Sequence, residues 1–583
     1  MSLGVRPGSD NSLRGPRNFP EVTEESGTGS HPSELPQTVT AAPGYNEQHG
    51  NDDSLDSLRM SSTPSGSPAI KPPADFFEHI HSISRQSSVF LLGTLFTVAA
   101  GYLFKIYLAR KLGAEALGVY TLGMTAGGLV SIVGAAGVPQ TASRFVAIYA
   151  SAGQTRKLVR FLWFGAATLL VTNALVGVAM VAGRRLIADR LYHTPILARY
   201  MHFFAAIMLL GALTTFLGQA LAGYKDVARR TVITNFIGTP ATMVISVALL
   251  TAGLGLWGYL AAQVLSALLV LALLARAVWK LTPKAAPQAL SASGPEGAPL
   301  FEREVVSFAA LLIGMQALEF LTSQSDRIIL GIYLNVREVG IYSVAASMVV
   351  FVGLFLQSIN QIFAPTIAEL FAKGEHDLLL RLYQTLTKWS LGLTIPLALG
   401  MMMFAKPLMG IFGSDFREGW PVLAIATIGQ LVNCGVGSVG FLLLMSDQQT
   451  RVFRAQAITV VITVGLNLAL IPRLGLIGAA IATAATNTSL NLLWFWDVRK
   501  RLSLSPGRQG YISLILPTAV TILALVMVRF ALQSRVPEIV LVLIGLSAGY
   551  IAFALTALRF ALEPHDKILA ATAYARIRGM FAA

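Results

Sequence analysis

The stretch KIYLARKL at positions 105–112, followed by GVY at 118–120, decides the fold because it occurs twice in the chain. It returns in altered form as RIILGIYL at 327–334, followed by GIY at 340–342. The shift between the two copies is constant at 222 positions. A duplication of this kind predicts two bundles with the same internal architecture.

A second pair of stretches supports the duplication. LGLWG at 254–258 returns as LGLIG at 474–478, and Lys280, which ends the first copy, is matched by Lys500. The shift here is 220 positions. Two related bundles enclose a cleft, and a cleft that opens alternately to either side of the bilayer is a common architecture of secondary transporters. The repeat therefore favours transport.

The composition is that of a membrane protein. Of 583 residues, 54% are hydrophobic and 13% are charged, with a mean hydropathy of +0.63. About fourteen apolar runs reach the roughly 20 residues that cross a bilayer, and such spans must be helices because no water satisfies their backbone. We predict an all-α polytopic membrane protein. The runs lie near 88–108, 120–138, 160–182, 200–222, 231–251, 256–278, 305–333, 342–364, 387–405, 420–445, 453–471, 476–496, 511–530 and 537–558.

The order of these segments predicts the domain organisation. Each half holds six spans, an even number, so it enters and leaves the membrane on the same side and the two repeats are parallel. Their expected position is around a central cavity. The predicted segments are a disordered polar tail at 1–75, a first six-helix bundle at 84–280, a cytoplasmic linker at 281–300, a second six-helix bundle at 301–500, two extra helices at 511–558 and a cytoplasmic tail at 559–583.

Charge and motif content narrow the function. Lys and Arg concentrate after even-numbered spans, which favours both termini in the cytoplasm, so the net charge of +14 requires no nucleic acid. Cys434 is the single cysteine, which excludes a disulfide or a thiolate metal site within one chain. The GxxxxGK[ST] and HExxH motifs are missing. We expect no enzyme, no cofactor and no metal site.

Ionisable residues inside spans indicate a binding site, since each costs on the order of 2.5–3.5 kcal/mol at the bilayer centre. Lys105 and Arg327 occupy the same position of the repeat. Symmetry would bring both to one depth of the cleft, where they would bind an anion such as a diphosphate. Asp326 and Glu319 are candidate charge partners or coupling groups. Two alternatives stay open: the cations could extend to the interface, or Asp326 could hold Lys105 or Arg327 in a structural pair.

Other polar residues in or beside the spans form a second group. Arg110 and Arg144 directly follow apolar helices and are further candidates for substrate binding, with interfacial anchoring as the alternative. Neutral carboxamides inside spans usually bond between helices, and lining a substrate path is their alternative role. They are Gln357, Asn360, Gln361, Asn433, Asn487 and Asn491.

Several motifs carry a family resemblance: ARKLGAEALGVY at 109–120, GVP at 137–139, SRF at 143–145, SDRIILG at 325–331 and VGIY at 339–342. With them the chain resembles the bacterial polysaccharide transporters of the multidrug/oligosaccharidyl-lipid/polysaccharide (MOP) exporter superfamily, over about 84–500. The resemblance implies a MATE-like fold whose cationic cavity receives a sugar-diphosphate head while the polyprenyl tail stays in lipid. It also makes Arg110, Arg144 and Arg327 cavity residues. The two extra helices differ from the usual arrangement of these transporters and resemble the fourteen-span arrangement of the peptidoglycan-precursor flippase.

These observations predict a flippase for undecaprenyl-diphosphate-linked oligosaccharide that works by alternating access in the bacterial cytoplasmic membrane. The product would feed O-antigen, capsule or exopolysaccharide synthesis. Besides substrate and membrane lipids, expected partners are a polysaccharide polymerase and chain-length machinery. The alternatives are a peptidoglycan lipid-precursor flippase, a cation-coupled multidrug exporter and a non-transporting membrane scaffold.

Overall fold

The computed structural model describes residues 74–282 and 303–561, and these ranges are built from helices with no strand among them. The α-helices are α1 (Ala74–Ala135), α2 (Val138–Ser151), α3 (Thr155–Ala182), α4 (Pro195–Gly223), α5 (Val227–Thr231), α6 (Thr239–Thr251), α7 (Gly255–Leu281), α8 (Arg303–Tyr333), α9 (Val336–Met348), α10 (Val350–Lys373), α11 (His376–Met403), α12 (Ala405–Gly410), α13 (Trp420–Val436), α14 (Val439–Met445), α15 (Gln449–Arg501), α16 (Arg508–Leu532) and α17 (Glu538–Phe560). The predicted tail, linker and C-terminal segment (1–75, 281–300 and 559–583) lie almost entirely outside the described residues. The domain boundaries therefore stay predictions.

The predicted all-α membrane fold is confirmed. Within the described ranges, 12 helices are long and apolar enough to cross a membrane, against the fourteen predicted spans. The difference arises in α1 and α15, which run on for 62 and 53 residues. Each contains one non-helical glycine, Gly113 at φ 79° and Gly475 at φ 58°, a backbone region that glycine enters without a steric penalty. Two predicted spans thus fall on each kinked helix, and the count of fourteen stays a prediction.

The outer surface of the molecule is apolar. Large side chains such as Phe530, Trp279 and Ile362 are 85%, 77% and 77% exposed. In water, contiguous apolar surface of this extent favours aggregation or association, whereas acyl chains solvate it. The distribution of exposed residues therefore agrees with the helix lengths in describing a multi-pass membrane protein.

The internal repeat is visible in equivalent contacts. Gln263 Nε2 donates to the Tyr120 hydroxyl at 3.1 Å in the first half. In the second half, the Tyr342 hydroxyl lies 3.1 Å from the Thr483 hydroxyl. The two tyrosines are 222 positions apart, and Gln263 and Thr483 are 220 apart, which are the shifts found in the sequence. The same pair of helix segments therefore meets in the same way in both halves.

The halves contact each other closely where α1 meets α9. A Cβ atom on Gly118 would overlap the carbonyl oxygen of Val336, and one on Gly340 would overlap that of Ala114. Ala114 and Val336 are also 222 positions apart, so the two contacts are related by the repeat. Glycine is the residue that lets backbones approach this closely. We call Gly118 and Gly340 the glycine seal; it lies at the end of the molecule that the sequence predicts to face outward.

The halves also meet at the opposite end, between α2 and α8. Gln140 Nε2 donates to Gln316 Oε1 at 3.1 Å, and the Arg144 guanidinium lies 4.8 Å from the centroid of the Phe308 ring. A Cβ on Gly137 would overlap a backbone carbonyl of α8. The halves therefore contact each other at two places, α1 with α9 and α2 with α8.

Helices α16 and α17 pack on the second half only, beyond the repeat. The Tyr550 hydroxyl donates to the carbonyl oxygen of Leu393 in α11 at 3.1 Å, and Leu546 packs where a Cβ on Gly400 would stand. Such close packing of side chains on glycine is typical of helix contacts in membranes. The pair adds a layer to α11 and does not extend the space between the halves.

Candidate functional site

A chamber of about 640 Å³ lies between the two halves, and we call it the central chamber. Its walls come from α1, α6 and α7 of the first half and from α8 and α9 of the second. Lys105 and Arg327 both line it. The volume falls in the range of about 300–1,000 Å³ that small-molecule sites occupy. The structure thus brings the two repeat-related cations to one cavity, as the sequence predicted.

Neither cation is neutralised by a carboxylate. No ion pair within 4.0 Å involves Lys105 or Arg327 among the described residues. The Arg327 guanidinium donates instead to the side-chain oxygen of Gln324 and, at 3.3 Å, to the carbonyl oxygen of Ser323. Two half-buried positive charges that face one chamber raise each other's energy. The arrangement favours an anion between them.

Asp326 contacts a tyrosine rather than a cation. Its carboxylate is buried, and Oδ2 accepts from the Tyr342 hydroxyl at 2.7 Å. The alternative in which Asp326 pairs with Lys105 or Arg327 is not observed. Asp326 instead continues the repeat-related contact of Tyr342 with Thr483, which ties α8 to α9 and α15.

The other site candidates lie elsewhere. Arg110 is exposed, and its Nε donates to the carbonyl oxygen of Ile411 at 2.8 Å, near the glycine seal. Arg144 is exposed at the opposite end, over Phe308. Glu319 is exposed on α8. None of these three side chains is among the residues that line the central chamber, so their proposed roles in binding stay predictions.

A second chamber of about 640 Å³ lies within the second half, between α8, α9, α10, α13, α14 and α15. All six carboxamides named from the sequence line it, and we call it the amide chamber. Among the lining residues that sequence reasoning missed are a seventh carboxamide, Gln430, and the indole of Trp494. Gln430 stands three residues before Asn433, a spacing that puts both on one helix face, and this signal was available. Arg327 lines both chambers and so marks their junction.

Metal binding finds no support in the described part of the chain. In 74–282 and 303–561, His, Cys, Asp and Glu form no group of three or more that could hold a metal ion. Cys434 is buried, with Sγ 3.6 Å from the carbonyl oxygen of Val352. It packs as a small apolar residue in α13.

Paired helical bundles that flank a polar chamber define a class of multi-pass membrane proteins to which several exporter families belong. Residues 83–371 match the family described as polysaccharide biosynthesis protein, and residues 312–470 match MatE. These matches support a place for the chain in the MOP exporter superfamily, in its polysaccharide branch.

Two curated relatives come from Haloferax volcanii. The "Probable low-salt glycan biosynthesis flippase Agl15" is 32% identical over 173 residues, which is 29% of this chain and 37% of that protein. The "Probable flippase AglR" is 32% identical over 174 residues, 29% of this chain and 36% of its own length. The chain therefore spans little more than a third of either relative in these matches.

Solved structures share the fold at low sequence identity. The lipid II flippase MurJ in an inward closed conformation has a TM-score of 0.64 and 14% identity, covering 81% of this chain and 99% of its own. A MATE-family multidrug resistance transporter in an inward-facing conformation has a TM-score of 0.58 and 15% identity, covering 72% and 97%. At this identity the similarity establishes the fold alone.

Proposed function

We propose that the protein is a flippase that moves a polyprenyl-diphosphate-linked oligosaccharide, with undecaprenol as its lipid, from the cytoplasmic to the outer leaflet. The observation that supports this most directly is the position of Lys105 and Arg327 at equivalent points of the repeat, on one chamber between the halves. A diphosphate is the part of such a lipid that a hydrocarbon layer excludes most strongly. Two fixed cations offset part of its dehydration by charge-assisted hydrogen bonds.

The path follows from the architecture. The diphosphate occupies the central chamber, with the glycan beside it, while the polyprenyl chain remains among lipid acyl chains, against the apolar outer surface. The halves then rock, opening the chamber to one side and closing it to the other. No covalent step is involved. The proposed location is the cytoplasmic membrane with both termini in the cytoplasm, and a polysaccharide polymerase and its chain-length machinery would use the product.

The test is flipping in proteoliposomes. Undecaprenyl-diphosphate oligosaccharide carrying a fluorophore is reconstituted with the full chain, and reduction of the outer-leaflet fluorophore by dithionite reports translocation. Lys105→Gln and Arg327→Gln should each reduce the rate at least tenfold, about 1.4 kcal/mol of lost stabilisation. Lys105→Arg and Arg327→Lys should retain part of it because the charge remains.

A matched control comes from an exposed cation outside both chambers. Lys373, which pairs with Glu369 at 2.6 Å, is replaced by Gln and should leave the rate unchanged. Equal flipping by wild type, Lys105→Gln and Arg327→Gln would refute the anion site. Membrane insertion of every variant is checked by detergent extraction and size exclusion.

One rival has an observation in its favour. Helices α16 and α17 lie beyond the repeat, and this agrees with a peptidoglycan-precursor flippase of fourteen spans. The same proteoliposomes loaded with a lipid-linked disaccharide-pentapeptide distinguish the two, since the rival predicts that this substrate moves faster. A cation-coupled drug exporter is less well supported, because Asp326 is the one carboxylate among the described residues that line the two chambers.

A further inference from the structure

We propose that the amide chamber binds the uncharged sugar units of the substrate while Lys105 and Arg327 bind its diphosphate. This assignment rests on the proposed flippase function and adds a second subsite to it. It divides recognition between two neighbouring cavities: a cationic one between the halves and a neutral, hydrogen-bonding one inside the second half.

The chemistry of the walls suits sugar hydroxyls. Every carboxamide offers both donors and an acceptor, which matches a hydroxyl group that donates and accepts in turn. The charged residues among the lining residues are Asp326 and Arg327, both on α8. The remaining lining residues are neutral, with carboxamides and hydroxyls set among apolar side chains such as Leu356, Phe441 and Leu444. The carboxamides of the wall are Gln357, Asn360, Gln361, Gln430, Asn433, Asn487 and Asn491.

Most of these groups have no protein partner. Within the part of the chain that the structure describes, the side chains that neither donate to nor accept from another protein group are those of Gln357, Gln361, Gln430, Asn433 and Asn487. Two buried atoms in the lining, Asn360 Oδ1 and Trp494 Nε1, are also unpartnered. Buried polar atoms are paired in about nine cases of ten or more. Unpaired groups that converge on one cavity point to a polar ligand that completes them.

Comparison of the two halves of the repeat argues against a purely structural role for the carboxamides. If they served to join helices, the equivalent positions of the first half would need similar groups. Those positions are apolar: Val138 for Asn360, Ala267 for Asn487, Leu271 for Asn491 and Leu274 for Trp494, at the shifts of 222 and 220. In the second half, Asn491 donates to the Asn487 carbonyl oxygen of its own helix at 2.8 Å. Interhelical bonding thus does not account for the set.

The two chambers share one lining residue, Arg327, which the diphosphate would contact. Arg327 lines both, so an anion held by Lys105 and Arg327 ends beside the amide chamber. The sugar attached to the diphosphate is then directed into the neutral cavity. Trp494 supplies a flat aromatic wall there, packed against the position of a Cβ on Gly440. A ring of this kind stacks on the apolar face of a sugar and leaves its indole N–H to donate.

The test separates the two subsites by ligand. The full chain in nanodiscs is titrated with undecaprenyl diphosphate carrying a neutral oligosaccharide and with undecaprenyl diphosphate alone. Asn433→Leu/Asn487→Leu should weaken binding of the glycolipid about tenfold, since each lost hydrogen bond accounts for a factor of about three. Its affinity for undecaprenyl diphosphate should not change. Lys105→Gln should weaken both.

Matched variants keep the result interpretable. Gln357→Leu/Gln361→Leu alters two exposed wall residues that no core contact requires, so it should fold even where the first pair does not. Gln533→Leu, an exposed carboxamide beyond α16, should bind both ligands as wild type does. Thermal unfolding of each variant is measured alongside.

The outcomes are distinct. If Lys105→Gln weakens binding of both ligands but the amide-chamber variants change neither, or change both equally, the sugar subsite is refuted and the flippase proposal stands. If the wild type binds neither lipid, the flippase proposal fails and the subsite with it. A selective loss of glycolipid affinity supports the assignment.

Discussion

Adding one methyl group to the glycine seal should shift the protein away from the conformation described above. In Gly118→Ala and Gly340→Ala the new Cβ would overlap the backbone carbonyl oxygens of Val336 and Ala114. Backbone atoms of packed helices cannot rotate aside as a flexible side chain does. Helices α1 and α9 would have to separate by more than an ångström to restore ordinary van der Waals contact.

The magnitude follows from the type of atom displaced. Overpacking a close contact costs about 1–3 kcal/mol, and the upper end applies because both colliding atoms are backbone. About 3 kcal/mol corresponds to a shift of roughly a hundredfold in the population of two conformations. A protein that is mostly sealed at this end would become mostly open there, provided that the halves alternate.

The assay is a distance measurement across the seal. Spin labels at Glu115→Cys in the first half and Asp415→Cys in the second are exposed, and Cys434→Ala removes the native thiol. The Gly118→Ala and Gly340→Ala variants should move the distance distribution toward longer values. Gly465→Ala, in α15 with nothing within 4 Å of its Cβ position, is the control. Distributions identical to wild type, in variants that unfold at the same temperature, would refute the reasoning.

Two further predictions concern single contacts. Tyr342→Phe removes the donor at 2.7 Å from buried Asp326 and should lower the free energy of unfolding by about 1–3 kcal/mol; the repeat-related Tyr120→Phe should cost less because Gln263 keeps its bond to Tyr259 at 2.8 Å. Denaturant titration of the two variants side by side checks the order, and a larger cost for Tyr120→Phe would contradict it. Arg110→Gln removes the hydrogen bond to the Ile411 carbonyl but should leave the affinity for undecaprenyl diphosphate unchanged. A loss of affinity equal to that caused by Lys105→Gln would show that Arg110 takes part in binding.

Much of the fold could be predicted because the lipid bilayer restricts the backbone conformation of the segments that cross it. In a bilayer a run of apolar residues has one satisfactory backbone conformation, so the helices followed from composition. The predicted count of fourteen spans places one apolar run on each side of the kinks at Gly113 and Gly475, and it stays a prediction. Gly113 and Gly475 let the chain turn within α1 and α15 while helix continues on both sides, and an apolar pattern does not reveal this geometry.

The position of two cations on one chamber could be predicted because the repeat supplied a second observation. Lys105 and Arg327 could be paired because a duplicated chain places equivalent residues at equivalent depths. Arg110 and Arg144 had no such equivalent, and their positions depend on which side of each helix faces the other half. The carboxamides were recognised singly, but their convergence on one cavity was not.

The sequence by itself determined that the chain crosses a membrane as two related bundles and that a cation from each half occupies the same position of the repeat. Hydropathy and duplication are properties of the chain, and they survive any rotation of a helix about its axis. Only the tertiary structure decided which faces meet: that Gly118 and Gly340 bring the halves into contact, that Asp326 binds Tyr342, and that the carboxamides share one chamber. Helix rotation is set by packing between segments far apart in the chain, and apolar residues on every face of a membrane helix leave no pattern from which to read it.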